Sequence, residues 1–162
     1  MKGKVRKATI KDAETIQFLI NEYAKQGLML PRSLNSIYEN IRDFFVYEEN
    51  KEIAGVCALT IVWDNLAEIR SLAVHPEKRK LGIGTILVKT CLEDAKNLGI
   101  TRIFTLTYQS NFFKKLEFEE IDKNSLPQKI WRDCINCVKF PDCDETAMEI
   151  VTGGANDTGK TT

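Results

Sequence analysis

Apolar side chains recur every three or four residues in several stretches of the chain, which is the spacing of an amphipathic helix. The first stretch follows a capping-box pattern at residues 9–12 and ends at Gly27. The second follows Pro31, which forbids a continuous helix, and Ser33 or Asn35 can cap it. The apolar positions of these two predicted helices are Ala13, Ile16, Ile20 and Tyr23, then Leu34, Ile37, Tyr38 and Ile41.

Other stretches are rich in β-branched and aromatic residues, which predicts strands. The longest, residues 53–63, is almost continuously apolar, so we expect a central strand that is buried on both faces. It forms a hairpin with residues 44–47 across a turn at 49–51. Residues 126–139 show no clear period. The other strands are predicted at residues 5–10, 66–74, 101–107, 118–121 and 145–151.

One stretch places a strand, a basic loop and a helix in direct succession. The strand at residues 66–74 halts at Pro76, and after a basic cluster at 78–80 the helix begins through Gly82 and Gly84. Glycines let a ligand approach the backbone, and the dipole at a helix N-terminus favours an anion. The stretch therefore predicts an anion site. The helix ends at Gly99, with one apolar face formed by Ile83, Leu87, Cys91, Ala95 and Leu98. A shorter helix is predicted at residues 112–116, capped by Ser110 or Asn111.

The alternation of strands and helices predicts an α/β fold. We expect one domain over residues 1–151, with a mixed central sheet flanked by helices on both faces, and a flexible polar tail at 152–162. A chain of 162 residues can bury a core without disulfides or metal ions. Its 23 basic and 23 acidic residues balance, so no overall field recruits nucleic acid or an anionic membrane.

The N-terminal residues lack the long apolar core of a secretory signal, and no apolar run approaches the length of a membrane span. We therefore expect a cytoplasmic protein. Residues 154–161 match the P-loop formula Gly-x4-Gly-Lys-Thr, but no helix follows the lysine in this sequence. We interpret this match as part of the polar tail.

Five cysteines, an odd number, favour reduced thiols over a disulfide framework. Cys134, Cys137 and Cys143 begin a metal-ligand spacing, but the only histidine, His75, lies at the end of the strand at residues 66–74. A fourth ligand would have to come from an aspartate at 142 or 144. Because the pattern is incomplete, we expect no metal site.

The basic loop carries a resemblance to a known family. Residues 79–84, Arg-Lys-Leu-Gly-Ile-Gly, follow the strand-like residues 72–74 and resemble the Arg-x-x-Gly-x-Gly/Ala motif of the GNAT N-acetyltransferases. The order of predicted elements over residues 5–121 is similar to that family. Shorter pieces at 30–33, 67–76 and 104–107 resemble the acetyltransferase domain of bacterial N-acetylglutamate synthases.

The resemblance implies acetyl-CoA as cosubstrate and direct acetyl transfer in a ternary complex, with no acyl-enzyme. The pantetheine arm of acetyl-CoA would lie along the strand at residues 69–74, and the pyrophosphate of acetyl-CoA would bind backbone amides near residues 81–85. Basic side chains at 79 and 80 would add charge. The cofactor-binding residues implied in this way are Leu72, Ala73, Val74, Arg79, Lys80, Leu81, Gly82, Ile83, Gly84 and Thr85.

Acetylation of an amine requires that its ammonium form lose a proton. Glu68 occupies the position of a glutamate in many GNAT members, which implies a base or proton relay, although an exposed structural carboxylate stays open. The Tyr that many members use to protonate the leaving thiolate corresponds here to Phe113. We name Tyr108 as the nearby substitute; packing of its ring, with a thiolate leaving by solvent assistance alone, is the alternative.

Arg32 lies at the corner between the first two helices, where the resemblance places a substrate cleft, and its planar fork suits a carboxylate. Ser33 adjoins it. Arg70 shares a strand face with Glu68, so it either reaches the same cleft or forms a structural ion pair. We expect substrate contacts from these three residues, Arg32, Ser33 and Arg70.

The leading functional hypothesis is acetyl-CoA-dependent N-acetylation of the α-amine of a small amino acid. L-glutamate is the first candidate acceptor, as in N-acetylglutamate synthesis for arginine biosynthesis. Two alternatives stay open. One is acetylation of a polyamine, antibiotic or protein amine, and the other is a non-catalytic CoA-binding regulatory module. The partner expected is a small-molecule amino acid, with no nucleic acid and no membrane, and the sequence leaves a homodimer open.

Overall fold

Seven strands form one mixed sheet in the order β1-β2-β3-β4-β5-β7-β6. The computed structural model describes residues 3–127 and 145–152. Strands β4 and β5 are parallel, and the other neighbouring strands are antiparallel. The strands are β1 Lys4–Lys7, β2 Phe44–Glu49, β3 Glu52–Trp63, β4 Leu66–Val74, β5 Arg102–Thr107, β6 Glu119–Ile121 and β7 Thr146–Val151.

Helices cover both faces of this sheet, as the sequence predicts. They are α1 Ala13–Ala24, α2 Leu34–Glu39, α3 Ile83–Asn97 and α4 Ser110–Lys114. Helices α1 and α2 pack on one face, and α3 and α4 pack on the other. The predicted cap of α2 is present, since the Ser33 hydroxyl accepts a hydrogen bond from the Ser36 amide at 3.0 Å.

Strand β3 is central to both apolar layers because its side chains alternate between the two faces. Val56 and Ala58 pack under α1 and α2, whereas Cys57 and Leu59 pack under α3. The strand is buried without interruption over residues 54–59. The prediction of a strand buried on both faces is therefore confirmed over residues 54–59, whereas Ile61 and Trp63, near its end, are 50% and 60% exposed.

Two element boundaries in the structure differ from the predicted ones. Strand β1 ends at Lys7 rather than at residue 10, because a 3-10 turn over Ile10–Asp12 follows it. Helix α4 begins at Ser110, two residues before the predicted start.

The prediction that Leu98 belongs to the buried face of α3 is wrong. Helix α3 ends at Asn97, and Leu98 is 59% exposed. Gly99, with φ of +82°, then turns the chain toward β5. Its four other predicted apolar positions are buried, namely Ile83, Leu87, Cys91 and Ala95.

An ionic cluster fixes the edge of the sheet to the start of α1. The Arg6 guanidinium donates to both carboxylate oxygens of Asp12, at 2.8 and 3.1 Å, and its Nε donates to Glu48 at 2.7 Å. The Asp12 carboxylate also accepts from the Thr9 amide at 2.7 Å. The hydrogen bond from Arg6 holds the pKa of Asp12 below its ordinary value of 3.8, although burial opposes the shift.

Replacing Asp12 with Asn should lower the free energy of unfolding at neutral pH by about 1–3 kcal/mol, because the variant loses charge-assisted hydrogen bonds. A lowered pKa in the folded state contributes stability that is present above the unfolded pKa and is lost as the pH falls through the folded pKa. The difference between wild type and Asp12→Asn should therefore shrink below pH 3.8. Urea titrations at neutral and acidic pH check this, with exposed Glu14→Gln as the control. A difference that does not change with pH would contradict it.

No helix in the described ranges, 3–127 and 145–152, is long and apolar enough to cross a membrane. Cys134, Cys137 and Cys143 lie outside the described residues, as do the P-loop match and residues 153–162 of the predicted tail.

Candidate active site

The parallel strands β4 and β5 are paired over only part of their lengths. Beyond this shared part, β4 continues beside β3 as far as Val74, and β5 remains paired with β7 along its whole length. The two strands therefore diverge toward their carboxyl ends, where open α/β sheets bind ligands. Their ladder joins Leu66, Ala67 and Glu68 to Arg102, Ile103 and Phe104.

Two hydroxyl groups hold carbonyls of β4 in its diverging part. The Thr105 side chain of β5 is 3% exposed, and its hydroxyl donates to the Ile69 carbonyl at 2.9 Å, one residue beyond the ladder. At the far end of the strand, the Tyr23 hydroxyl from α1 donates to the Val74 carbonyl at 2.6 Å. Because an unsatisfied buried carbonyl is costly, these bonds stabilise the divergence.

A bulge bends β4 within the same segment. Ser71 has φ of +58°, and the register with β3 shifts between Val56 and Ala58. Leu72, Ala73 and Val74, which the resemblance implies for pantetheine binding, follow this bulge. They thus lie on the part of β4 that has left the ladder with β5, and a strand edge of this kind fits an extended, amide-containing arm.

The N-terminus of α3 fits a phosphate group. Gly82 precedes the helix with φ of +86°, a conformation that favours glycine. The first N–H groups of an α-helix have no carbonyl partner within it and point outward with the positive end of the dipole. Arg79 and Lys80 lie exposed beside this turn. Backbone donors and two exposed basic residues therefore lie at the turn where the resemblance implies pyrophosphate binding.

A cavity of about 630 Å³ opens on the face of the sheet that α1 and α2 cover. It holds four of the residues predicted from the sequence, Arg32, Ser33, Glu68 and Arg70. These residues come from the α1–α2 linker and from β4, so the fold brings together positions that are far apart in the chain. The remaining lining residues are Met29, Leu30, Pro31, Ser36, Asn40, Thr60, Ser71, Leu106 and Glu145.

Arg32 is held in a defined orientation in this cavity. Its guanidinium donates to the Ser36 hydroxyl at 3.1 Å and to the Ser71 hydroxyl at 3.4 Å. The guanidinium carbon also lies 5.2 Å from the centroid of the Phe44 ring. The main chain is fixed as well, since the Arg32 amide donates to the Asn21 side chain at 3.3 Å. Such a fork is pre-organised for a carboxylate.

Glu68 and Arg70 point to the same face because they are two residues apart on β4. One carboxylate oxygen of Glu68 lies 3.9 Å from a guanidinium nitrogen of Arg70, and the two side chains are 15% and 26% exposed. Thr60 on β3 is the cross-strand partner of Glu68. An ion pair is one of the two alternatives that the sequence leaves open for Arg70. That ion pair is present with a long separation, and both side chains also line the cavity.

Asp43 accepts a hydrogen bond from the Thr60 hydroxyl at 3.2 Å. Burial raises the pKa of the Asp43 carboxyl above its ordinary value. The bond from Thr60 and the positive charges of Arg32, Lys7 and Arg70 oppose that shift. Asp43 is therefore influenced by Arg32 and Arg70, two of the cations that line the cavity.

Tyr108 follows β5 directly and is half-buried, at the carboxyl end of the diverging strands. Among the described residues it does not line the 630 Å³ cavity. Phe113, at the position where many family members have tyrosine, is 3% exposed and packs edge-to-face with Phe112 and Phe118. A role for Tyr108 as the acid stays a prediction.

Sequence reasoning missed several polar residues of the cavity, among them Ser36, Asn40, Thr60 and Glu145. Thr60 had no usable signal, because in-register pairing across the predicted turn at 64–65 would place Ile61 opposite Glu68, and only a register shift between Ile61 and Trp63 brings Thr60 there. Ser36 had a signal, since it lies four residues after Arg32, in the first turn of the predicted second helix. Glu145 carried no comparable signal.

Comparisons with known proteins identify similar sequences and structures. A family model described as the Acetyltransferase (GNAT) family matches residues 12–118. The chain is 46% identical over 144 residues to an uncharacterized N-acetyltransferase of Chlorobaculum tepidum, a match that covers 89% of this chain and 93% of that protein. It is 32% identical over 130 residues to an amino-acid acetyltransferase of Mycobacterium tuberculosis, covering 78% of this chain and 74% of that protein.

A solved structure is similar over most of the chain. It is an N-acetylglutamate synthase from Neisseria gonorrhoeae, complexed with coenzyme A and N-acetyl-glutamate. The TM-score is 0.84 at 25% identity, and the match covers 92% of this chain and 35% of that chain. This chain thus corresponds to about a third of that synthase.

Proposed function

Since this chain belongs to the GNAT family of acetyltransferases, we propose that it acetylates the α-amine of a small amino acid, with L-glutamate first. Acetyl-CoA is the cosubstrate, and it supplies the acetyl group as a thioester. The family resemblance and the α/β fold predicted from the sequence are confirmed. The amino-acid acceptor is the step that we add.

The main support for this proposal is that Arg32 and Glu68 line one and the same cavity. An amino acid presents a carboxylate and an ammonium group on one carbon, so its site needs a cation and a proton acceptor close together. Arg32 provides the first and Glu68 the second. Leu106 and Ser71 also line this cavity, so it reaches the opening between β4 and β5 where the thioester would enter.

Glu68 would accept the proton that the ammonium group of the substrate must lose before its nitrogen can attack, directly or through water. The new C–N bond forms as the C–S bond breaks, and the thiolate takes up a proton from Tyr108 or from solvent. A carboxylate with a side-chain exposure of 15% is desolvated enough for its basicity to be tuned by neighbours. The Arg70 guanidinium lies 3.9 Å from the Glu68 carboxylate.

Arg32 would bind the α-carboxylate through two charge-assisted hydrogen bonds. Arg70 would attract a side-chain carboxylate, which supports glutamate over acceptors without a second acid. The names of two similar proteins, an amino-acid acetyltransferase and an N-acetylglutamate synthase, support the same substrate class. On this proposal the chain serves the synthesis of an N-acetylated amino acid, as in arginine biosynthesis.

The cosubstrate would bind at the residues that the sequence implies. Backbone amides of residues 81–85 would hold the pyrophosphate, with Arg79 and Lys80 beside them, and residues 72–74 would line the pantetheine arm. Geometry supports this assignment through the positive φ of Gly82 and the divergence of β4 from β5.

Initial rates of thiol release test the proposal when acetyl-CoA and glutamate are varied together. Direct transfer in a ternary complex predicts intersecting lines in a double-reciprocal plot. Parallel lines would indicate a covalent acyl-enzyme and would contradict direct transfer. No release above the acceptor-free rate with any amino acid would remove the proposed acceptor class.

A further inference from the structure

A further carboxylate, Asp43, is hydrogen-bonded to Thr60, one of the residues that line the 630 Å³ cavity. Asp43 ends the 3-10 turn Ile41–Asp43, just before β2, and is half-buried. Its Oδ2 atom accepts from the Thr60 hydroxyl at 3.2 Å. Thr60 itself lines the cavity and is the cross-strand partner of Glu68. Asp43 is therefore joined by one hydrogen bond to a side chain that lines the cavity.

The cations that act on Asp43 come from three elements: Lys7 from β1, Arg32 from the α1–α2 linker and Arg70 from β4. The Lys7 ammonium donates to the Arg42 carbonyl and lies 4.3 Å from the centroid of the Phe45 ring. Arg32 and Arg70, in contrast, both line the cavity. The negative charge of Asp43 thus acts on the two cations that would meet the carboxylates of an acceptor.

We propose that Asp43 is a specificity-determining positioning residue. Its carboxylate partly neutralises Arg32 and Arg70, and so limits the preference of the cavity for an acceptor with two carboxylates over an acceptor with one. This inference rests on the proposed function, because it concerns how the proposed acceptor site distinguishes acceptors by their charge. Asp43 does not touch the acceptor. It acts through the field at the two guanidinium groups.

The electrostatic potential at the two guanidinium groups is the sum of the contributions of all nearby charges, and these contributions are large in a partly desolvated site. Glutamate and glutamine have nearly the same shape, but the glutamine side chain is neutral. A nearby negative charge therefore weakens binding of the glutamate side chain and leaves that of glutamine almost unchanged. Asn at position 43 can still accept the bond from Thr60, so Asp43→Asn removes the charge with little change of shape.

The test compares kcat/KM for glutamate and for glutamine in wild type and Asp43→Asn. We expect the glutamate-to-glutamine ratio to rise roughly three- to tenfold, the size expected for one partly screened charge. The KM for acetyl-CoA should not change. Glu39→Gln is the matched control, because it removes an equal charge from the exposed face of neighbouring α2 and should leave the ratio as it is.

Asp43→Glu and Thr60→Val separate charge from shape. The first keeps the charge and should keep the wild-type ratio, whereas the second releases the carboxylate and should raise the ratio by less than Asp43→Asn does. An unchanged or lower ratio in Asp43→Asn, or a rise in Asp43→Glu equal to that in Asp43→Asn, would overturn the inference. Thermal unfolding of each variant verifies that it is folded.

Calorimetric titration with glutarate, a dianion without an amine, keeps this inference separate from the proposed function. Glutarate should bind Asp43→Asn more tightly than wild type or Glu39→Gln, whether or not any amino acid is acetylated. If neither amino acid is acetylated, the proposed function fails while the titration still decides the role of Asp43. Equal affinity in all three proteins, or no binding to any, would count against the inference.

Discussion

Replacing Glu68 with Gln should lower kcat roughly 100- to 10,000-fold, the range typical for loss of a general base. Gln preserves the volume of the side chain and its place on β4, but it cannot take the proton of the acceptor. The side chain is 15% exposed and lines the cavity with Arg70, so water replaces it poorly. Affinity for acetyl-CoA should be retained, because its predicted contacts are elsewhere.

Steady-state kinetics over a range of pH, with calorimetry for acetyl-CoA, measure this effect. The limb of the wild-type pH profile that reports the base should disappear in Glu68→Gln. Glu52→Gln provides the control, since Glu52 is an exposed carboxylate at the start of β3. A variant with the wild-type rate and an unaltered pH profile would leave Glu68 with a structural role alone.

Replacing Arg32 with Ala should raise the KM for glutamate roughly 10- to 100-fold, as expected when a hydrogen-bonded charge loses its partner. The KM for acetyl-CoA should change little. Arg32→Lys should recover only part of the loss, because an ammonium group restores the charge but not the planar fork that Ser36 and Ser71 orient.

The same kinetics with glutamate, glutamine and a polyamine check this prediction. Arg42→Ala is the control, since Arg42 is exposed on the turn after α2. Glutamine should be a poorer acceptor than glutamate, and an amine without an α-carboxylate should be poorer still. If the polyamine is the best acceptor and Arg32→Ala has no effect, the proposed amino-acid substrate is wrong, while acetyl-CoA remains the cosubstrate.

Local signals in the sequence were sufficient to predict most of the fold. The continuous apolar run of β3, the Ser33 cap of α2 and the glycines at positions 82 and 99 each dictate one conformation. Strand β4 has the predicted bounds, Leu66–Val74. Exposed Leu98 shows the limit of this reasoning, because periodicity alone does not reveal that the helix ends one residue earlier.

Four residues of the cavity could be named from the sequence, but their arrangement could not be predicted. Glu68 and Arg70 share a face because of strand alternation, which the sequence contains. Arg32 reaches the same cavity only because the α1–α2 linker lies over β4, and that packing depends on the whole sheet. The divergence of β4 from β5 could not be predicted, since the side chain that bridges it, Thr105, belongs to an ordinary strand pattern.

Asp43 illustrates the remaining difficulty. In the sequence it is one acid among 23 acidic residues, on a turn between a helix and a strand. Its position beside Thr60 follows from the pairing of β2 with β3, which places the start of β2 beside the middle of β3. Charges that act through an intervening side chain are visible only in three dimensions.

A competition experiment tests the proposed substrate class most directly. The purified protein is incubated with acetyl-CoA and an equimolar mixture of glutamate, glutamine and spermidine, and the acetylated products are identified by mass spectrometry at low conversion. A cavity that combines Arg32, Arg70 and Glu68 predicts N-acetylglutamate as the main product, with the acetyl group on the α-nitrogen. Acetylated spermidine as the main product would contradict an amino-acid acceptor.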